Sequence, residues 1–244
     1  MSSDLLAIAA ARRLAGARSV FIGVGRPSTA AMLARMVHNP ELVLVYESGT
    51  IGAEPFRIPL SIGDGELAET ADTVVSVPEI FNYWIGPGRI EVAFLGAAQI
   101  DRYANLNSTV IGDYDKPRTR LPGAGGAPEI AAGCDEVVVL AAHATRTFVE
   151  QLDFVTTVGH GDGPGTRERL GFRGRGPTAV ITDLGVLEPD PQSCELTLTA
   201  LHPGVSLEAA RAATGFELRV AEDLATTPAP TAAELDALER LTSR

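Results

Sequence analysis

Short apolar runs closed by glycine, proline or small polar residues recur along the chain, and between them lie stretches in which apolar residues return every three or four positions. Ser19-Val20-Phe21-Ile22, Leu42 to Tyr46, Ile90 to Gly96 and Val137 to Leu140 are of the first kind. Each is too short for a helix and apolar at nearly every position, the pattern of a strand buried on both faces of a parallel sheet. Helical spacing predicts a helix from a cap at Ser3 or Asp4 to about Ala15, through Leu5, Ile8 and Leu14, with Gly16 as its stop. A second runs from Ser28 to about His38, where Asn39-Pro40 breaks it. Others start at Pro128 and run from Ser206 to about Thr214. The alternation predicts one large α/β domain.

Weaker patterns fill the remainder. Val74 to Val77, Leu152 to Val158, Ala179 to Leu187 and Glu195 to Leu201 are expected as strands, the last two near a sheet edge and separated by a Pro-Asp-Pro turn. Ala53 to Gly65 is expected as loop, leading to a short helix over Leu67 to Ala71. Ile80-Phe81-Asn82-Tyr83-Trp84-Ile85 gathers aromatics in a chain poor in them and is assigned to core or a subunit interface. Residues 1–225 are expected to form the domain. Residues 226–244 are expected to be a linker with a short surface or interface helix.

Charge narrows the partners. The 244 residues carry 20 Lys and Arg against 31 Asp and Glu, a formal net charge of −11, which repels a nucleic-acid backbone. Cys134 and Cys194 have no C-x-x-C spacing and no neighbouring histidine at metal-ligand spacing, so both are expected in the core, with no disulfide or metal site. The apolar Leu5 to Ala11 lacks a basic segment before it and is interrupted by Arg12-Arg13. No signal peptide or membrane span is therefore expected, and the compartment is expected to be the cytoplasm.

Glu47 stands out because the run Leu42 to Tyr46 delivers it into the turn Ser48-Gly49. A carboxylate just past the carboxyl end of a parallel strand lies where open α/β sheets bind their ligands. The alternative is a loop residue accepting hydrogen bonds from nearby N–H groups. Gly23 and Gly25 spell G-x-G but lack the third glycine of a dinucleotide fingerprint, and a tight strand-to-helix turn explains them. A phosphate or pantetheine contact from that loop stays open. Leu121-Pro122-Gly123-Ala124-Gly125-Gly126-Ala127 leads into the helix at Pro128 and offers free N–H groups that suit a phosphate, a thioester carbonyl or an oxyanion. His160, in a glycine-rich loop, is expected to be solvated, and His202 to be a structural turn residue. Asp101 and Asn105 are expected in turn hydrogen bonds.

Glu47-Ser48-Gly49-Thr50-Ile51-Gly52-Ala53 resembles the segment carrying the catalytic glutamate in β subunits of class I coenzyme A transferases, most closely the glutaconate CoA-transferase branch. Gly123-Ala124-Gly125-Gly126-Ala127 is similar to that family's second hallmark, and Gly96 to Asp101 to its glycine-to-glutamine-to-aspartate turn. The resemblance implies an open, mostly parallel sheet with flanking helices, the CoA transferase (NagB-like) fold. It implies Glu47 as nucleophile, with Ser48, Gly49, Gln99, Gly123, Ala124, Gly125, Gly126 and Ala127 binding substrate or CoA or stabilising an oxyanion. Coenzyme A enters as a thioester substrate, with no permanently bound cofactor and no metal. A separately encoded α subunit would complete a heterotetramer or larger assembly, since a fused enzyme would need about twice this length. Relatives on this fold include a CoA-thioester decarboxylase and a steroid ring-opening hydrolase. Those reactions, acyl-CoA hydrolysis and a non-catalytic partner role are the alternatives to transfer.

Overall fold

The computed structural model describes residues 2–243. Helix α1 (Ser2–Arg13) leads to strand β1 (Ser19–Ile22), α2 (Arg26–Val37), β2 (Val43–Tyr46) and the two-residue β3 (Thr50–Ile51). Then follow α3 (Gly65–Glu69), β4 (Thr73–Val74), α4 (Val77–Glu79), a π-helical turn over Ile80–Ile85 and β5 (Val92–Leu95). Two small hairpins come next, β6 (Gln99–Ile100) with β7 (Leu106–Asn107) and β8 (Val110–Gly112) with β9 (Pro117–Arg120). The last part holds α5 (Ala127–Gly133), β10 (Glu136–Leu140), α6 (Thr166–Arg169), β11 (Pro177–Ile181), β12 (Gly185–Pro189), β13 (Leu196–Leu201), α7 (Leu207–Ala212), β14 (Arg219–Thr226) and α8 (Ala232–Thr242).

Ten of these strands form one sheet in the order β14-β13-β12-β11-β10-β5-β1-β2-β3-β4. Its centre, β11-β10-β5-β1-β2, is all parallel. Strand periodicity explains why the central runs are apolar throughout. Val20, Ile22, Leu44, Tyr46, Phe94, Val138 and Leu140 enter a core with α1, α2 and α8. The alternate residues Phe21, Val45, Ala93, Leu95, Val137 and Val139 enter a second core with α5, the π-helical turn and Phe148. The expected α/β sheet with helices on its faces is present.

Several boundaries differ from expectation. Helix α1 begins at Ser2, so Asp4 lies inside it rather than capping it, and the Ser3 side chain lies outside the described part. Of the expected strand Val74 to Val77 only Val74 pairs with β3, together with Thr73 before it, because Ser76 caps α4 and bends the chain away. Residues 152–158 are not a strand: Thr157 makes one bridge to Leu106, and Asp153 is drawn into a side-chain network with Gln99. The expected strand from Ala179 to Leu187 is two antiparallel strands, folded where Thr182 Oγ1 accepts from the N–H groups of Leu184 and Gly185.

Three residues also sit differently. His160 is buried, its Nε2 bonded to Pro177 O at 2.8 Å, because the glycine loop packs inward instead of projecting. Burial lowers its pKa. Cys134 is in the core, but Cys194 is half-buried in a turn with φ 61°. Residues 226–243 end in α8, which packs into the first core rather than lying on the surface. Ala237, Leu238 and Leu241 join the first core, and Glu234 is paired with Arg12 beneath α8.

Candidate active site

Tyr46 ends β2, and the backbone turns at once: Gly49 N–H donates to Tyr46 O at 3.0 Å, placing Glu47 and Ser48 at the two central positions of a β-turn. Gly49 is required twice over. Its φ is +103°, and a Cβ there would meet Val75 O at 1.9 Å. Gly49 O in turn accepts from Val75 N–H at 2.9 Å, so the segment after β4 braces the turn. Gly52 N–H donates back to Leu44 O, closing β2 and β3 into a hairpin. Glu47 thus projects from a fixed support, on the side to which Val45 points.

Five chain segments converge there. A cavity of about 410 Å³ is lined by Phe21 in β1 and Gly23 beyond it, Glu47 beyond β2, Leu95 and Gly96 at the end of β5, and Leu140 at the end of β10. Ala124, Gly125, Gly126 and Ala127 complete it. The site therefore lies at the carboxyl ends of the central parallel strands, the position expected for a ligand in an open α/β sheet.

The glycine turn comes close to the carboxylate. A Cβ on Gly126 would lie 3.2 Å from Glu47 Oε1 and 2.3 Å from Phe81 Cζ, although the φ of Gly126 is an ordinary −89°. Glycine is needed here for close approach, not for backbone conformation. Gly123 and Gly125, at φ 103° and 50°, supply the conformational freedom of the turn. Its outer end is tied down by Gly123 N–H to Ser108 O and Ser108 Oγ to Gly123 O. Among the described residues, the N–H groups of Gly125 and Gly126 have no partner, and Gly126 is buried.

Glu47 is half-buried, and among the described residues its carboxylate makes no hydrogen bond or ion pair. The loop-acceptor alternative is therefore not what the structure shows. The Ser48 hydroxyl beside it is buried and equally without a partner, which in a folded protein calls for an explanation by function or ligand. The unpaired polar groups around Glu47 thus include its carboxylate, the buried Ser48 and Thr50 hydroxyls and two backbone N–H groups of the glycine turn.

Of the residues singled out from the sequence, Glu47, Ala124, Gly125, Gly126 and Ala127 meet at this cavity, with Ser48, Gly49 and Gly123 forming its supports. Gln99 does not reach it. Its Oε1 accepts from Asn107 Nδ2 at 2.7 Å and from Asp153 N–H at 3.1 Å, and its Nε2 donates to Asp153 at 2.8 Å, all in a buried network. Asp101 and Asn105 make turn bonds as expected, and burial raises the Asp101 pKa. His202 is buried between Thr227 Oγ1 and Thr182 O.

Two residues near Glu47 are not singled out as site residues by the sequence. Phe81 lies over Gly126 from the π-helical turn, and Arg26 opens α2 at the rim. Nothing local in either residue's sequence context places it near Glu47. Among the described residues, no group of three or more His, Cys, Asp or Glu is arranged to hold a metal, and no helix is long and apolar enough to cross a membrane.

The coenzyme A transferase family model matches residues 4–212. The β subunit of the 3-oxoadipate CoA-transferase of Pseudomonas knackmussii is 55% identical over 243 residues, covering 100% of this chain and 94% of that protein. The β subunit of the glutaconate CoA-transferase of Acidaminococcus fermentans is 36% identical over 228 residues, covering 91% and 85%. The crystal structure of glutaconate coenzyme A-transferase from Acidaminococcus fermentans superposes with a TM-score of 0.93 at 33% identity, covering 99% of this chain and 94% of that one.

Proposed function

The chain belongs to the coenzyme A transferase family, and from that premise we propose that Glu47 is the nucleophile by which it moves CoA between an acyl-CoA and a carboxylic acid. The reading has this chain as the β half of a heteromeric enzyme, with an α subunit completing the site. The substrates are a dicarboxylic or 3-oxo acid and its thioester, the class to which the similar 3-oxoadipate and glutaconate enzymes point. One observation carries it: an unpaired carboxylate on a rigid turn faces a cavity at the sheet's carboxyl edge, against unpaired N–H groups.

A carboxylate oxygen of Glu47 attacks the thioester carbonyl, and the C–S bond breaks to give an acyl-glutamyl anhydride and CoA thiolate. The thiolate then attacks the glutamyl carbonyl of the anhydride. The acyl carboxylate leaves, and Glu47 holds CoA as a thioester. An acceptor carboxylate reverses both steps. Each addition puts negative charge on a carbonyl oxygen, to which the N–H groups of Gly125 and Gly126 donate hydrogen bonds, with the partner subunit contributing further. Binding of the distant CoA moiety supplies energy that is realised at the reacting carbonyl.

The test uses the complex co-purified with its α subunit. Glu47→Gln and Glu47→Ala should reduce acyl exchange to background while the complex stays intact. Hydroxylamine added after acyl-CoA should mark the peptide holding Glu47. Ping-pong exchange surviving in Glu47→Ala would refute the assignment, and release of free CoA without an acceptor acid would favour hydrolysis on the same scaffold.

A further inference from the structure

Among the described residues, Arg26 is the only basic side chain lining the cavity, and Glu47 is the only acidic one. Arg26 is exposed and, again among the described residues, makes no ion pair, hydrogen bond or ring contact. Other arginines of the chain are committed: Arg35 to Glu54, Arg12 to Glu234 and Arg57 to Glu66. The backbone that carries Arg26 is nevertheless fixed. Gly25 turns the chain at φ 82°, Pro27 locks the first turn of α2, and the fully buried Ser28 donates to Gly23 O at 2.9 Å. A free guanidinium is thus held at the rim of a pocket whose other wall carries the nucleophile.

We infer that Arg26 reads the second carboxylate of a dicarboxylic acyl group while the first is being exchanged at Glu47. The inference rests on the transferase reading above and extends it to the choice of acid. In a CoA transferase both donor and acceptor present a carboxyl carbon to Glu47, so that end cannot tell one acid from another. Selectivity has to come from the far end. A diacid carries a second negative charge into a site that already holds Glu47, on a chain of net charge −11. Without a cation in the cavity that charge would be repelled and poorly solvated. A guanidinium offers two parallel N–H groups matched to a carboxylate, and it is always charged.

The competing anion is a CoA phosphate. The pantetheine arm is longer than a cavity of this volume is wide, so with the thioester at Glu47 the phosphates fall outside it, whereas the far end of a short diacid remains within. The side chain is exposed and unpaired, so replacing it leaves the fold intact.

The experiment compares adipyl-CoA with hexanoyl-CoA, equal in chain length and different in the terminal carboxylate, in the co-purified complex. Wild type should prefer adipyl-CoA. Arg26→Leu should lower the adipyl-to-hexanoyl ratio of kcat/KM by about 10- to 100-fold, mostly through the KM for adipyl-CoA. Arg26→Lys should restore part of the ratio, since it keeps the charge and loses the fork. An equal loss on both thioesters would overturn the inference and place Arg26 on CoA or on Glu47 itself. An unchanged ratio would overturn it as well. In both cases Glu47-dependent exchange persists, so the transferase reading stands. A wild-type complex that exchanges neither thioester and only releases CoA would instead sink the transferase reading, and this inference with it.

Discussion

At the scale of single residues, the contact between Gly126, Phe81 and Glu47 decides how the nucleophile is presented. A methyl group on Gly126 overlaps the Phe81 ring at 2.3 Å and crowds Oε1 at 3.2 Å. The ring is half-buried and can swing outward, so Gly126→Ala should fold but present Glu47 in a displaced geometry. A displacement of this order away from alignment costs about 100-fold in rate. The loss should appear in kcat with the unfolding midpoint little changed, and Phe81→Leu in the same chain should recover part of it by freeing the space. That coupling, read as a double-mutant cycle, separates a steric cause from an electronic one. Gly49→Ala is different in kind. It meets a backbone oxygen at 1.9 Å with φ +103°, so stability and activity should fall together. The carboxylate and the glycine turn were legible in the sequence because each carries its own local signature, a run ending in a small-residue turn. Phe81 and Arg26 were not, since their roles exist only where remote strands end side by side.

At the scale of elements, the same contrast holds. Strands β1, β2, β5 and β10 were legible because burial on both faces makes them continuously apolar. Strand β14 was not, since it is a polar edge strand with an exposed Arg219, Glu222 and Asp223. Helix α8 was visible as a pattern, but beside its apolar contacts it is anchored by a buried acid that the pattern does not announce. Glu234, fully buried, accepts from Arg12 Nε at 2.6 Å and Nη2 at 2.7 Å, and it closes the capping box with Thr231. Glu234→Leu should cost about 3 kcal/mol in urea unfolding by removing the carboxylate from the Arg12 guanidinium, which keeps only its bonds to Pro228 O and Ala229 O. Against the cost of burial, the bonds from Arg12 and Thr231 hold the Glu234 pKa down to about 2 from an ordinary 4.5. Its stabilisation is thus fully present above about pH 4.5 and is lost as pH falls towards 2.

His143 acts in a separate window. Stacked on Phe148 and bonded to Thr182 and Thr214, it is pushed down by burial to about 4 from 6.5, with Asp183 opposing. It must therefore take up a proton on unfolding between those values, and stability falls as pH drops from 6.5 towards 4. Urea titrations at successive pH values should show the earlier decline flattened in His143→Gln and the later one flattened in Glu234→Leu.

At the scale of the whole molecule, the two edges of the ten-stranded sheet are unlike. The β14 edge carries charges, a common protection against unwanted strand pairing. The β4 edge exposes Val74, and the chain between β3 and β5 also exposes Leu60, at 88%, and Tyr83. Exposed apolar residues at an unpaired sheet edge mark a docking site. This side is also joined to the nucleophile, through the bond from Val75 N–H to Gly49 O that braces the Glu47 turn. A partner seated on it would cover the edge and shape the active site in one step, as the proposed α subunit must. Leu60→Asp should therefore raise the dissociation constant of the α/β complex by at least about 10-fold, because it buries an unpaired charge at the interface. Hydrogen exchange on adding the α subunit should slow at residues 54–62 and 73–83 and leave β14 unaffected. Protection of β14 instead would place the partner on the charged edge and detach assembly from the bracing of Glu47.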